Sequence, residues 1–256
     1  EVLSKGEIVK TCPFCGTSNI VATDELSGLK PNAVVPFRVS REQAGESVKK
    51  WIRKRSLAPR KFRKSASPEK LGGVYVPAFS FDSHTESNYV ATLGRYYYVT
   101  RRVNGRTVRD RRIRYFTVRG HYSMGFDDVL VSASDKIDGK SMSGLRSFDT
   151  NASREYTQEY LSGYSASQYT RDGLTCWEDA KNIMRGRVRA AVLSGYSYDV
   201  VSSFNLSMRC SDITYKYLLI PIYVGHCSWR KKLYNFFVNG VNGAVTGKAP
   251  TSPLKV

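Results

Sequence analysis

The chain lacks most of what would announce an activity. It has three histidines in 256 residues, His84, His121 and His226, and none has a second ligand at metal-binding spacing. No dinucleotide fingerprint, serine nucleophile elbow or His-Glu-x-x-His helix is present. Gly139-Lys140-Ser141 has the tail of a phosphate loop, but Ser134 stands where its first glycine belongs, and the motif fails. Adjacent strand residues point to opposite faces. His226-Cys227 therefore cannot pair as nucleophile and base, and Asp127-Asp128 suits a turn or cap better than a carboxylate pair. Capping and the helix dipole account for Glu178-Asp179 at a helix start. No catalytic residue, nucleotide site or small-molecule substrate is assigned, so the expectation is a protein that is not an enzyme.

Long apolar runs are also missing. The longest, Tyr217 to Val224, is eight residues and contains Pro221, against the roughly 20 a transmembrane helix needs. No signal peptide is visible. Five cysteines, an odd number and mostly isolated, do not make a disulfide framework and suit a reducing compartment. The location expected is the cytoplasm, with a place at the membrane periphery left open.

What is present begins with Cys12-Pro13-Phe14-Cys15-Gly16. A structural zinc takes about four thiolate or imidazole ligands, usually as two close pairs, and Cys12 and Cys15 supply one. Cys176, Cys210 and Cys227 stand alone, so the second pair is expected upstream of Glu1, with zinc expected in the longer protein and this chain able to sit metal-free. A redox reading would need the motif to open a helix, whereas Gly16-Thr17-Ser18-Asn19 is turn sequence. A chance pair would carry no ligand.

Acid is scarce, with 22 Asp and Glu against 40 Lys and Arg, for a net charge of +18. Two clusters dominate. Lys49 to Lys64 carries nine basic residues and no acid, with Trp51 and Phe62 interleaved. Arg95 to Arg119 carries nine arginines and one acid, Asp110. The candidate basic surface comprises Lys49, Lys50, Arg53, Lys54, Arg60, Lys61, Arg101, Arg102, Arg106 and Arg112. It would attract protein partners, nucleic acid or an anionic membrane surface, or it is simply a solvated face; charge alone does not choose.

The patterning predicts an α+β fold: mixed or antiparallel β units with packed helices, after a partial zinc knuckle at 1–28. Residues 29–133 form a first α+β unit, 134–152 a polar linker, and 153–256 a second unit packed on the first. Leu29 to Val39 reads as an irregular strand. Ser40 and Gln43 form a capping box for a helix ending near Arg55, with Ala44, Val48, Trp51 and Ile52 on one face. From Gly72 to Ser132 the signal is β, and Asn104-Gly105 predicts a hairpin with one basic, solvated face and one packed face. Helical character is expected over Ser153–Tyr164, and a stronger helix over Cys176–Leu193. Strands follow at Tyr198–Leu206, Thr214–Val224, Leu233–Val238 and Ala244–Val245. Val74 to Phe79 and Leu219 to Tyr223 share a strand–proline–aromatic pattern, which suggests two related β units; chance would also produce it.

Jointly, Cys12 to Gly16, Val35-Pro36-Phe37, Leu71 to Pro77, Leu218 to Pro221 and Val238-Asn239-Gly240 resemble a bacterial family, the TFIIB-type zinc-ribbon proteins common in Gram-positive genomes. The chain departs from that family in lacking the first Cys pair, in Ala78-Phe79 for Phe-Trp, and in Val241-Asn242 for Gln-Thr. The resemblance implies no established enzymatic activity. Some relatives look like components of membrane stress assemblies with phage-shock and stomatin-like proteins. Others carry a label taken from the primosomal replication-restart helicase, whose motor motifs are absent here. The leading expectation is a non-catalytic adaptor presenting a basic surface to protein partners; the alternative is a nucleic-acid-binding accessory protein.

Overall fold

A computed structural model describes residues 8–11, 18–21, 31–65, 71–161, 164–167, 169–229 and 232–251. The protein is mixed α+β, and its strands dominate. Two short strands, β1 (Ile8–Thr11) and β2 (Ser18–Val21), pair antiparallel with Thr11 opposite Ser18. Cys12 and Cys15 fall in the segment between them and lie outside the described residues. The other eight strands include three long ones: β4 (Gly72–Val103), β5 (Arg106–Ser132) and β8 (Val200–Trp229). The chain divides into two compact units, Glu1–Ser80 with Leu130–Cys176 and Lys216–Val256, and Phe81–Val129 with Trp177–Tyr215. Each of the long strands contributes to both units, so this grouping cuts across a sequential division at 134–152.

In the first unit, residues 216–224 of β8 are central. Beside them lie β9 (Lys232–Asn239), then β10 (Val245–Gly247), and on the other side β3 (Ala33–Val34), which is parallel to Leu218 and Leu219. A central strand is covered on both faces, and this is why Tyr217–Val224 reads as an unbroken apolar run. One face carries Leu218, Ile220, Ile222 and Val224, packed with Val74, Val76, Ala78, Ile137, Met142, Leu145 and Phe148. The last four come from the expected linker. It holds a short helix, α3 (Gly139–Gly144), and forms part of the core because its few apolar residues are spaced to point inward. The two proline-bearing segments, around Pro77 and Pro221, share this one core.

The opposite face takes helix α1 (Arg41–Arg53), which has the Ser40–Gln43 capping box and buries Ala44, Val48 and Ile52 against Leu71, Tyr223 and Phe236. A short α2 (Arg60–Ser65) buries Phe62 beside Tyr234. Asn239, fully buried, holds the β9 end. Its Nδ2 donates to the carbonyls of Leu145 (2.9 Å) and Ser147 (3.1 Å), and its Oδ1 accepts from the N–H of Val241 and Asn242. Among the described residues the expected helix at Ser153–Tyr164 is not formed. The stretch holds β6 (Arg154–Glu155) and a 3-10 turn, because Tyr156, Tyr160 and Tyr164 are drawn into an aromatic group with Tyr75 and Phe37. Just beyond it, β7 (Ser165–Ala166) runs parallel to Val74 and Tyr75.

In the second unit, α4 (Gly173–Ser194) enters at Trp177 and buries Ala180, Met184, Val188 and Val192. Its cap is Asp172, which accepts from the Thr175 N–H at 2.7 Å. The helix therefore starts earlier than expected, and Glu178 serves in an ion pair with Lys181. The odd-numbered residues of β4, Phe81 to Leu93, are buried except Tyr89, and several are small: Ser83, Thr85, Ser87 and Ala91. Asp82 accepts the Asp128 N–H and the Thr214 hydroxyl, beside two strand positions of positive φ, Asp128 and Asp212. Asp128 thus serves backbone geometry, as expected of a turn-type residue.

Candidate functional site

The β4–β5 hairpin closes through Asn104 (φ 49) and Gly105 (φ 77), both in the left-handed region that a two-residue type I′ turn requires. The flanking strands are Arg95–Val103 and Arg106–Arg119. Alternation puts Tyr96 and Tyr98 on one face of β4 and Tyr97 and Val99 on the other. The sequence led us to expect one face to be packed; instead Tyr96, Tyr97, Tyr98, Val103, Val108, Ile113 and Tyr115 are all exposed, Tyr98 to 52% and Tyr115 to 54%. No core covers either face of this outer part, and the rings of Tyr96, Tyr97 and Tyr98 are covered by arginine instead, whereas Phe116 and Val118 at the inner end pack against Ala91, Leu93 and Leu193. Arg109 lies over Tyr98 at 4.1 Å, Arg111 over Tyr96 at 4.4 Å and Arg114 over Tyr97 at 5.4 Å. Such contacts contribute about 0.5–1 kcal/mol each at exposed sites.

Of the arginines singled out from the sequence, Arg101 is tied to Asp110 at 2.7 Å. Arg102, Arg106 and Arg112 are exposed and form no ion pair among the described residues. Asp199, just before β8, accepts the Tyr96 N–H on its carboxylate at 2.7 Å and donates its own N–H to the Gly94 carbonyl. These bonds hold the inner end of the ribbon to the rest of its unit.

The other basic residues belong to the first unit. Lys50, Arg53 and Lys54 lie at the C-terminal end of α1, where the helix dipole favours cations, and Arg60 and Lys61 lie on α2. All five are exposed. Lys49 is partly neutralised by Glu46 at 2.8 Å, and Arg55 stacks on Trp51 at 4.6 Å.

One grouping was missed in the sequence. His84 Nε2 lies 3.0 Å from Glu86 Oε1, His121 Nε2 lies 2.7 Å from Glu86 Oε2, and the Ser123 hydroxyl meets His84. The hydrogen bond from His84, then that from Ser123, holds the Glu86 carboxyl below its usual range. The signal was available: His84 and Glu86 are two apart on a strand and share a face. His121 comes from the facing strand and could be placed only with the hairpin in hand. Among the described residues no group of His, Cys, Asp or Glu has metal-holding geometry. Among the described residues no helix is long and apolar enough to cross a membrane.

The chain is similar to the uncharacterized protein YdjG of Bacillus subtilis (strain 168). The two are 28% identical over 245 residues, which span 92% of this chain and 69% of YdjG. No family model matches the chain, and no solved structure matches it. The comparison assigns no activity, so the site must be read from its own chemistry. It offers planar cations, aromatic faces and exposed backbone, which are recognition groups.

Proposed function

We propose that this protein is a non-catalytic adaptor that docks acidic partner proteins through the β4–β5 ribbon, in the cytoplasm or at the periphery of an anionic membrane. The observation that carries this reading is three exposed tyrosines spread over both ribbon faces, Tyr96, Tyr97 and Tyr98, each roofed by an arginine. Tyr and Arg dominate interface hot spots, while Lys is depleted there. Between Arg95 and Arg119 there are nine arginines and no lysine. Cys12 and Cys15 would supply two thiolate ligands to a zinc ion. The antiparallel pairing of β1 with β2, which flank the two cysteines in sequence, supports that reading. The family resemblance adds a role in a membrane stress assembly.

A second reading, a nucleic-acid-binding accessory protein, is favoured by the ribbon's form. A two-stranded ribbon fits the DNA major groove, and exposed tyrosines can stack on unpaired bases. Reversing Arg101, Arg102 and Arg112 to glutamate tests both. The adaptor reading expects capture of acidic proteins that persists at moderate salt and is lost in the variant, with no shift of duplex or single-stranded DNA. A DNA shift with a steep salt slope, abolished by the same variant, refutes it, since counterion release produces that slope.

A further inference from the structure

We propose that the outer edge of β5 is the docking site itself, and that an extended acidic segment of a partner protein adds beside Arg106–Gly120 as a further strand. This rests on the adaptor reading and specifies its partner.

Among the described residues β5 pairs with β4 alone. It is 27 residues long, has no proline, and its first positive-φ interruption is at Asp128. An edge of this kind presents a row of unpaired N–H and C=O groups, a template for another strand. The side chains leave that row open. Arg109, Arg111 and Arg114 reach back over the tyrosines of β4, and Asp110 reaches back to Arg101. These four side chains of β5 therefore lean inward, away from the free edge.

Charge chooses the occupant. Arg109 and Arg111 lie on one face of β5, and Arg106, Arg112 and Arg114 on the other. A second copy of this edge would set arginine against arginine, and like charges directly opposite in a sheet are destabilising. Carboxylates on either face of an added strand would find a guanidinium directly across or diagonal to them. Val108, Ile113 and Tyr115, all exposed, would meet β-branched residues between those carboxylates.

The test uses the full chain and two synthetic peptides of equal charge. One repeats Glu-Glu-Val-Val, so that each face of an added strand carries carboxylates with β-branched residues between them. The other has proline for every valine, which cannot donate at those positions. Binding is read by fluorescence anisotropy, and backbone protection by amide hydrogen exchange. The glutamate–valine peptide should bind at least about tenfold more tightly, a difference of about 1.4 kcal/mol. It should slow exchange within 106–120 and leave α4 unchanged. Equal binding of both peptides without protection of β5 overturns the edge inference and leaves the adaptor reading standing. Self-association that protects the same amides overturns it too. If neither peptide binds while duplex DNA protects the ribbon, both readings fall.

Discussion

Replacing Arg109, Arg111 and Arg114 together by lysine separates charge from shape. The net charge stays at +18, so any long-range attraction is preserved. What is lost is the planar guanidinium lying 4.1 to 5.4 Å from the centroids of Tyr98, Tyr96 and Tyr97. Three exposed cation–π contacts at about 0.5–1 kcal/mol each set a ceiling of about 3 kcal/mol. Lysine keeps part of that attraction but not the flat stacking or the two-pronged grip on a carboxylate. A loss of about 1–2 kcal/mol in binding is expected, equivalent to about five- to thirtyfold in Kd. Anisotropy titration with the glutamate–valine peptide measures it, at low and at physiological ionic strength. The gap between parent and variant should persist as salt screens the exposed charges, because both proteins are screened alike. Identical affinities at both ionic strengths would show that the ribbon acts by charge alone, and the stacking argument would be refuted.

Four further outcomes follow from the geometry. Asn239→Asp replaces a buried donor to two carbonyls with an acceptor, and should cost about 3 kcal/mol or more of stability in denaturant titration, partly recovered when the carboxyl is protonated in acid. Gly225 faces Phe236 across the β8–β9 pair, and a Cβ there would strike that buried ring; Gly225→Ala should cost about 1–3 kcal/mol, read as a lowered Tm. Burial pushes the Tyr217 phenol up to about 12, so the unfolded chain ionises first; stability is intact below about pH 10 and falls as pH rises toward the folded value, checked by alkaline unfolding. His84→Ala removes the largest cause of the lowered Glu86 titration, which should move upward when followed by NMR.

Much of the fold was legible because local chemistry and global packing agree in it. The Ser40 capping box, the Asn104-Gly105 turn and the apolar stripe of α4 each follow from a spacing rule that tertiary contacts do not override. The reading failed where few residues carry much of the packing. Residues 134–152 look polar, yet Ile137, Met142, Leu145 and Phe148 place them in the main core. The tyrosines at 156, 160 and 164 keep a helical period, but it is set by the aromatic group around Phe37 and Tyr75. At the ribbon, the arginines and tyrosines were visible, and the turn that joins them was too. That neither face of its outer part is packed was not, because alternating Arg and Tyr reads the same whether the rings meet a core or meet guanidinium groups.

The two basic patches differ in a way that bears on their work. Lys49 to Lys64 holds five lysines and four arginines, on and beside two short helices, whereas the ribbon holds arginine only. An ammonium is a strongly hydrated point charge on a flexible stem, suited to attraction at a distance. A guanidinium is weakly hydrated, stacks on rings and grips carboxylates in a fixed plane, and so tolerates the desolvation of close contact. The helical patch is therefore the better site for diffuse attraction to an anionic surface, and the ribbon the better site for a defined partner. Charge reversal confined to Lys50, Lys54 and Lys61 should weaken flotation with anionic vesicles while leaving peptide binding at the ribbon intact. Loss of peptide binding in that variant would mean that the patches do not divide the work in this way.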